Sequence, residues 1–176
     1  MQSSESLKKA IRIWIIIFII ALVLSGVTAF ALETELAWLN SLFENRESGL
    51  AIWIQKVYIA LHQTNLDYPF LAYGYDWLAF AHIVIAVAFI GAFKDPVRNK
   101  CIIQFGMIAC CMVFPLAFIA GAVRKIPFYW QLIDCSFGTI GLIPLYLCYK
   151  KIEVLEKLTL SKNNEIKKEN TMLSGI

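Results

Sequence analysis

Apolar and polar residues alternate along this chain in long blocks. Four stretches, 13–32, 77–93, 101–123 and 126–149, are apolar almost throughout, and the charges fall between them. The hydrocarbon of a bilayer is about 30 Å thick and takes roughly 20 residues of helix at 1.5 Å each, so each stretch is long enough to cross. Each is expected to be an α-helix, since an isolated strand in lipid leaves its backbone groups unpaired. The expected fold is therefore an all-α integral membrane protein with four transmembrane helices. The first stretch has a rival reading as a cleaved signal peptide. Lys8, Lys9 and Arg12 precede it and Ala29-Phe30-Ala31 ends it, but its apolar core exceeds the usual 7–15 residues.

Between the first two stretches lies a segment, 33–76, too long for a simple connection. Within it Leu50, Trp53, Ile54, Val57, Tyr58 and Leu61 recur at helical spacing, with Gln55, Lys56 and His62 on the other side. This pattern predicts an amphipathic helix over about 49–62. Pro69, Gly74 and four aromatics between Tyr68 and Tyr75 predict a returning loop at the membrane interface. The turn 94–100 is short, with Pro96 at its second position and Asn99 placed to cap the next helix. Gly106 and Cys110, Ala117 and Gly121, and Gly138 and Gly141 fall at three- or four-residue spacing, which predicts close helix contacts. Pro115 and Pro144 are expected to kink their helices and free carbonyls for Thr139, Cys111 or water. Residues 1–160 then form one domain that includes the outer segment, and 161–176 read as a disordered cytoplasmic tail.

Composition strengthens the membrane reading, with 59% hydrophobic and 16% charged residues. The net charge of +3 is too small to attract nucleic acid. The arrangement of the charges sets orientation. Lys8, Lys9, Arg12, Lys94, Arg98, Lys100 and six lysines of the C-terminal stretch lie on one side. Arg46, Lys56, Arg124 and Lys125 lie on the other, beside six acidic residues of the outer segment. The positive-inside rule then places both termini in the cytoplasm. Small size and the lack of sorting signals suggest a bacterial inner membrane.

Ionisable groups inside a span are costly and mark sites. His82 and Asp134 qualify, both toward the outer side, with Gln131 and Ser136 at similar depth and Asp76, Arg124 and Lys125 just above. One reading is a polar clasp in which Asp134 pairs with Arg124 or His82. The other is catalytic, with His82 as general base or acid, Asp134 orienting it and Ser136 or water as nucleophile. Arg124 and Lys125 would then hold an anionic head group, with Asp76 and Gln131 as further substrate-binding residues. Neither haem nor zinc fits, because His62 and His82 are the only histidines and the five cysteines show no ligand spacing, so no cofactor is expected.

The leading functional expectation is an accessory or assembly subunit whose outer segment contacts a membrane-protein partner, a second copy or lipid. The alternatives are a membrane-embedded enzyme acting on a lipid or prenyl substrate through His82 and Asp134, and a small transporter or channel subunit.

Overall fold

The structure is a computed structural model that describes residues 4–44 and 46–173, with side chains as far as 165. It is helical, and no strand occurs among the described residues. The helices are α1 (Ser4–Phe30), α2 (Leu32–Phe43), α3 (Gly49–Asp67), α4 (Tyr73–Lys94), α5 (Lys100–Val123) and α6 (Phe128–Leu173), with a 3-10 turn at Pro69–Ala72. Among the described residues, four helices are long and apolar enough to cross a membrane: α1, the stretch Pro69–Lys94 that contains α4, α5, and the part of α6 up to Glu165. These match the four predicted stretches. Two compact units divide the chain, one of residues 20–86 and the other of residues before 20 together with those from 87 onward.

In the second of these units α5 and α6 form a hairpin on the small residues picked out in the sequence. A Cβ built on Gly138 would lie 2.7 Å from the Cys110 carbonyl oxygen, and one on Gly141 would lie 3.0 Å from the Cys110 sulfur. The backbones approach this closely only because no side chain intervenes. Gly106 leaves room in the same way for the Phe89 ring and the Leu145 methyl, which a Cβ would meet at 2.7 and 2.9 Å. Leu7, Ile11, Ile15 and Phe18, one stripe of α1 at helical spacing, are buried here, and Phe18 packs its ring on Phe89 at 4.8 Å between centroids. Pro115 and Pro144 lie inside continuous helices, and the Thr139 hydroxyl donates to the Cys135 carbonyl rather than to one that Pro144 frees.

The turns at each end of α5 use different devices. Before α5, Asn99 does not cap the helix that follows it: its side chain makes no N-cap bond there. Its amide instead donates backwards, to the carbonyls of Gly91 at 3.1 Å and Asp95 at 2.9 Å, closing the end of α4. The same carbonyls also accept backbone N–H groups, Gly91 O from Asp95 and Asp95 O from Asn99, each at 3.1 Å, so the Asn99 amide adds a second donor at the end of α4. After α5, the Ile126 N–H donates to Gly121 O at 2.9 Å and the Lys125 N–H to Ala122 O at 3.3 Å, a Schellman ending. It needs a left-handed residue, and Lys125 supplies it with φ 57°.

Helix α6 runs to Leu173, past position 160 where a disordered tail was expected to begin. Ile152 and Leu155 are buried, and Lys100 pairs with Glu156 at 3.0 Å, so packing continues beyond the apolar stretch. From 161 to 173 the sequence is free of Gly and Pro and rich in Lys, Glu and Asn, with nothing to stop the helix. Residues 174–176 of that expected tail lie outside the described residues.

The other unit holds more helix than its sequence pattern suggested. The expected amphipathic helix is present as α3, but it runs to Asp67, and a separate helix, α2, precedes it. Ala31 marks the break between α1 and α2 with φ −97° and ψ 20°. Ser48 caps α3 by accepting the Ala51 N–H at 3.2 Å. The predicted returning loop is mostly folded, as the 3-10 turn and the first turn of α4. Gly26 of α1 sits against α4, where a Cβ would meet the Ala79 carbonyl at 2.8 Å and Ile83 at 2.9 Å.

Candidate functional site

The residues nominated from sequence fall in both units. His82 and Asp76 belong to residues 20–86; Arg124, Lys125, Gln131, Asp134 and Ser136 belong to the α5–α6 unit. His82 is half-buried, and its Nδ1 lies 2.8 Å from the Leu78 carbonyl of its own helix. A carbonyl only accepts, so Nδ1 carries the proton and neutral His82 keeps Nε2 as an acceptor. The Leu78 carbonyl fixes the tautomer that an orienting carboxylate would otherwise fix.

In the other unit the hairpin turn brings Arg124, Lys125 and Gln131 together. Gln131, 7% exposed, donates from Nε2 to the Ile126 carbonyl at 2.8 Å and lays its side chain over Gly121. That is a structural role, binding the start of α6 to the turn. Lys125 shapes the same turn through its backbone. Ser136 donates its hydroxyl to Ile133 O at 2.6 Å, the usual way for a serine in a span to satisfy itself. Asp134 is half-buried and has no hydrogen bond or ion pair among the described residues of its unit, so the pairing with Arg124 that the clasp reading offered is not made there.

The best-formed polar site is one that sequence reasoning missed. Glu33, at the start of α2, receives the His62 Nδ1–H at 2.6 Å on one carboxylate oxygen and the Asn65 amide at 2.6 Å on the other. The Asn65 amide also lies 3.2 Å from the Tyr75 hydroxyl, so α2, α3 and the start of α4 meet in one network. His62 stacks on Tyr58 at 5.8 Å. These hydrogen bonds, that of His62 first and that of Asn65 second, hold the Glu33 carboxyl below its usual value of 4.5. The signal was present in sequence, since His62 and Asn65 are three residues apart on one face of a helix, opposite an acidic N-terminal turn. Part of the face on which the sequence placed His62 is the seam with α2, which the apolar pattern did not reveal.

Beside this network the same unit has an apolar groove of about 310 Å³ lined by Phe30, Tyr73, Asp76, Trp77 and Phe80. Asp76 is its one carboxylate. Tyr73, Trp77 and Phe80 form an edge-to-face ladder along α4, with centroids 5.8 and 5.9 Å apart. Trp38 of α2 and Phe70 of the 3-10 turn are 64% and 70% exposed.

The histidine, cysteine and acidic side chains of the described residues form no cluster able to hold a metal ion. No family model, curated protein or solved structure matches the chain.

Proposed function

We propose that this chain is a four-span membrane protein with both termini in the cytoplasm, resident in a bacterial inner membrane, whose outer segment contacts a partner protein or lipid as an accessory or assembly subunit. Several features support insertion. Only 17–22% of the most apolar window of each candidate span is buried, so most of its apolar surface faces outward. Water would penalise that surface by roughly 25 cal/mol per Å², whereas lipid does not. Twelve of the sixteen basic residues lie on the side assigned to the cytoplasm.

The observation that carries the functional part is the build of the outer segment. A polar network of Glu33, His62, Asn65 and Tyr75 fixes α2 and α3, and the exposed Trp38 and Phe70 stand on that braced frame. Aromatics held rigid lose little entropy when they dock, which suits an interfacial contact. The test places photo-crosslinking residues at 38 and 70 in cells, with position 55 as a solvent-facing control. Discrete protein adducts at 38 or 70 identify a partner, and lipid adducts identify a lipid contact. Labelling no greater than at 55 removes the reading.

A second reading makes Asp134 part of a lipid-modifying site, and one observation favours it. A carboxyl in a span with no partner among the described residues of its own unit is an unusual expense for a purely structural residue. Membranes carrying Asp134→Asn would then lose a lipid conversion that wild-type membranes perform; an unchanged lipid profile sinks it.

A further inference from the structure

At the end of the helices opposite the outer segment in the proposed topology, the α5–α6 unit contains a cavity of about 470 Å³. Its wall carries four cations: Lys8 and Arg12 from α1, Lys94 from the last turn of α4, and Arg98 from the turn before α5. Its floor is formed by buried Leu155 and Pro96, and its single acid is Asp95. This size falls within the range of about 300–1,000 Å³ typical of ligand pockets.

The placement of these cations is built into the chain. Lys8 and Arg12 are four residues apart and share one face of α1. The Arg12 guanidinium stands 5.5 Å from the Phe93 ring centroid, a cation–π contact that steadies it. Lys94 and Arg98 flank a turn held rigid by Asn99, and the Asp95 carboxylate accepts the Arg98 backbone N–H at 3.1 Å. Asp95 is therefore partly engaged by backbone. Two lysines of this unit pair with acids, Lys100 with Glu156 and Lys150 with Glu153, and none of the four cavity cations is in an ion pair among the described residues. Four like charges around one hollow repel each other unless an anion enters.

We infer that this cavity binds a phosphate-bearing anion, supplied either by the headgroup of an anionic phospholipid in the cytoplasmic leaflet or by free phosphate. Basic pockets between spans on that side are where such headgroups bind, and the floor at the edge of the apolar stretch suits a glycerol backbone. The lipid source rests on the membrane reading above; the phosphate chemistry does not.

The test uses the full-length protein in neutral detergent, titrated with phosphatidylglycerol or phosphatidylcholine and read by native mass spectrometry. A parallel arm adds inorganic phosphate, both as ligand and as competitor. Arg12→Gln with Arg98→Gln is compared with Lys151→Gln plus Lys157→Gln, which removes the same charge outside the cavity. About 1 kcal/mol per cation corresponds to about fivefold, so the cavity pair is expected to weaken phosphatidylglycerol binding about 25-fold. The control pair should leave it within about twofold by the same measure. Preference for phosphatidylglycerol that inorganic phosphate does not displace assigns the lipid headgroup. Inorganic phosphate binding that the cavity pair abolishes assigns the free anion. Equal effects of the two pairs, or no binding of either probe, overturns the inference. Lys94→Gln alone, expected to weaken binding about fivefold, keeps the test open should the double variant fail to fold. Release from membranes by carbonate wash would refute the membrane reading separately, and the inorganic phosphate arm would still decide the cavity.

Discussion

Replacing Gly138 by alanine isolates the closest approach between α5 and α6. The added methyl would sit 2.7 Å from the Cys110 carbonyl oxygen, and a backbone atom in a helix cannot turn aside. The two helices must separate locally, and overpacking of this kind costs about 1–3 kcal/mol. A rigid backbone contact belongs to the upper part of that range, about 2–3 kcal/mol, and alanine returns about 1 kcal/mol of helix propensity, leaving a net loss of about 1–2 kcal/mol. Gly141 provides the matched comparison. Its Cβ would meet the Cys110 sulfur at 3.0 Å and Phe18 at 3.5 Å, both side-chain atoms that can yield, so Gly141→Ala should fall within about 1 kcal/mol of wild type. Gly74 meets nothing within 4 Å in the first turn of α4, and Gly74→Ala should be neutral or slightly stabilising. Thermal unfolding in detergent, followed by circular dichroism, reads all three. For a chain of this size 1 kcal/mol moves Tm by about 2–4 °C, so Gly138→Ala should drop it by about 2–8 °C. If Gly138→Ala melts at or above wild type, or below it by no more than Gly141→Ala, the backbone contact does not limit packing there.

Three further outcomes follow from the turns and the outer network. Lys125→Gly removes a left-handed residue with a side chain and should be neutral or stabilising by up to about 1 kcal/mol, whereas Lys125→Val should cost about 1–2 kcal/mol by the same melting assay. Gly121→Ala and Gln131→Ala each disturb one packed pair, so the double variant should lose less than the sum of the singles, and strict additivity would show that the pair is not coupled. Because hydrogen bonds hold the folded Glu33 carboxyl below 4.5, its contribution to the outer segment is complete above that pH and disappears as pH falls through the lowered value. Limited proteolysis between α2 and α3 should accelerate in that acid window, and Glu33→Gln should remove the pH dependence; an unchanged profile in Glu33→Gln would refute the assignment.

The four long apolar helices were legible because length and hydropathy act on whole stretches, and 101–123 and 13–32 are apolar almost throughout. The small-residue spacing was legible for the same reason, since Gly138 and Cys110 had few ways to be used other than by approaching each other. Polar contacts were not. Asn99 before a helix looks like an N-cap, and only the positions of the Gly91 and Asp95 carbonyls show that it closes the previous helix instead. His62 was placed on the side away from the apolar stripe, while its partner Glu33 lay 29 residues away, beyond any local pattern. Helix α2 was missed because its 12 residues follow the first apolar stretch directly, with no Gly or Pro to mark a new helix, and a helix that short relies on its packing against α3.

Asp134 is the residue on which the functional readings divide, and its energetics can be tested without knowing a substrate. Neighbouring polar groups of α6 have local partners: Gln131 the Ile126 carbonyl, Ser136 that of Ile133, Thr139 that of Cys135. Asp134 has none among the described residues of its unit, and if the helix crosses a membrane a carboxylate there costs up to about 2.5–3.5 kcal/mol, the mid-bilayer figure on insertion scales. Asp134→Leu, which removes that burden at similar volume, should therefore be neutral or stabilising by up to about 3 kcal/mol in melting or denaturant titration. Stability gained together with a lost cellular phenotype is the pattern of a residue kept for a task rather than for the fold. Breaking a buried pair instead destabilises by about 3–5 kcal/mol. A loss of that size would return Asp134 to a structural role and end the lipid-modifying reading.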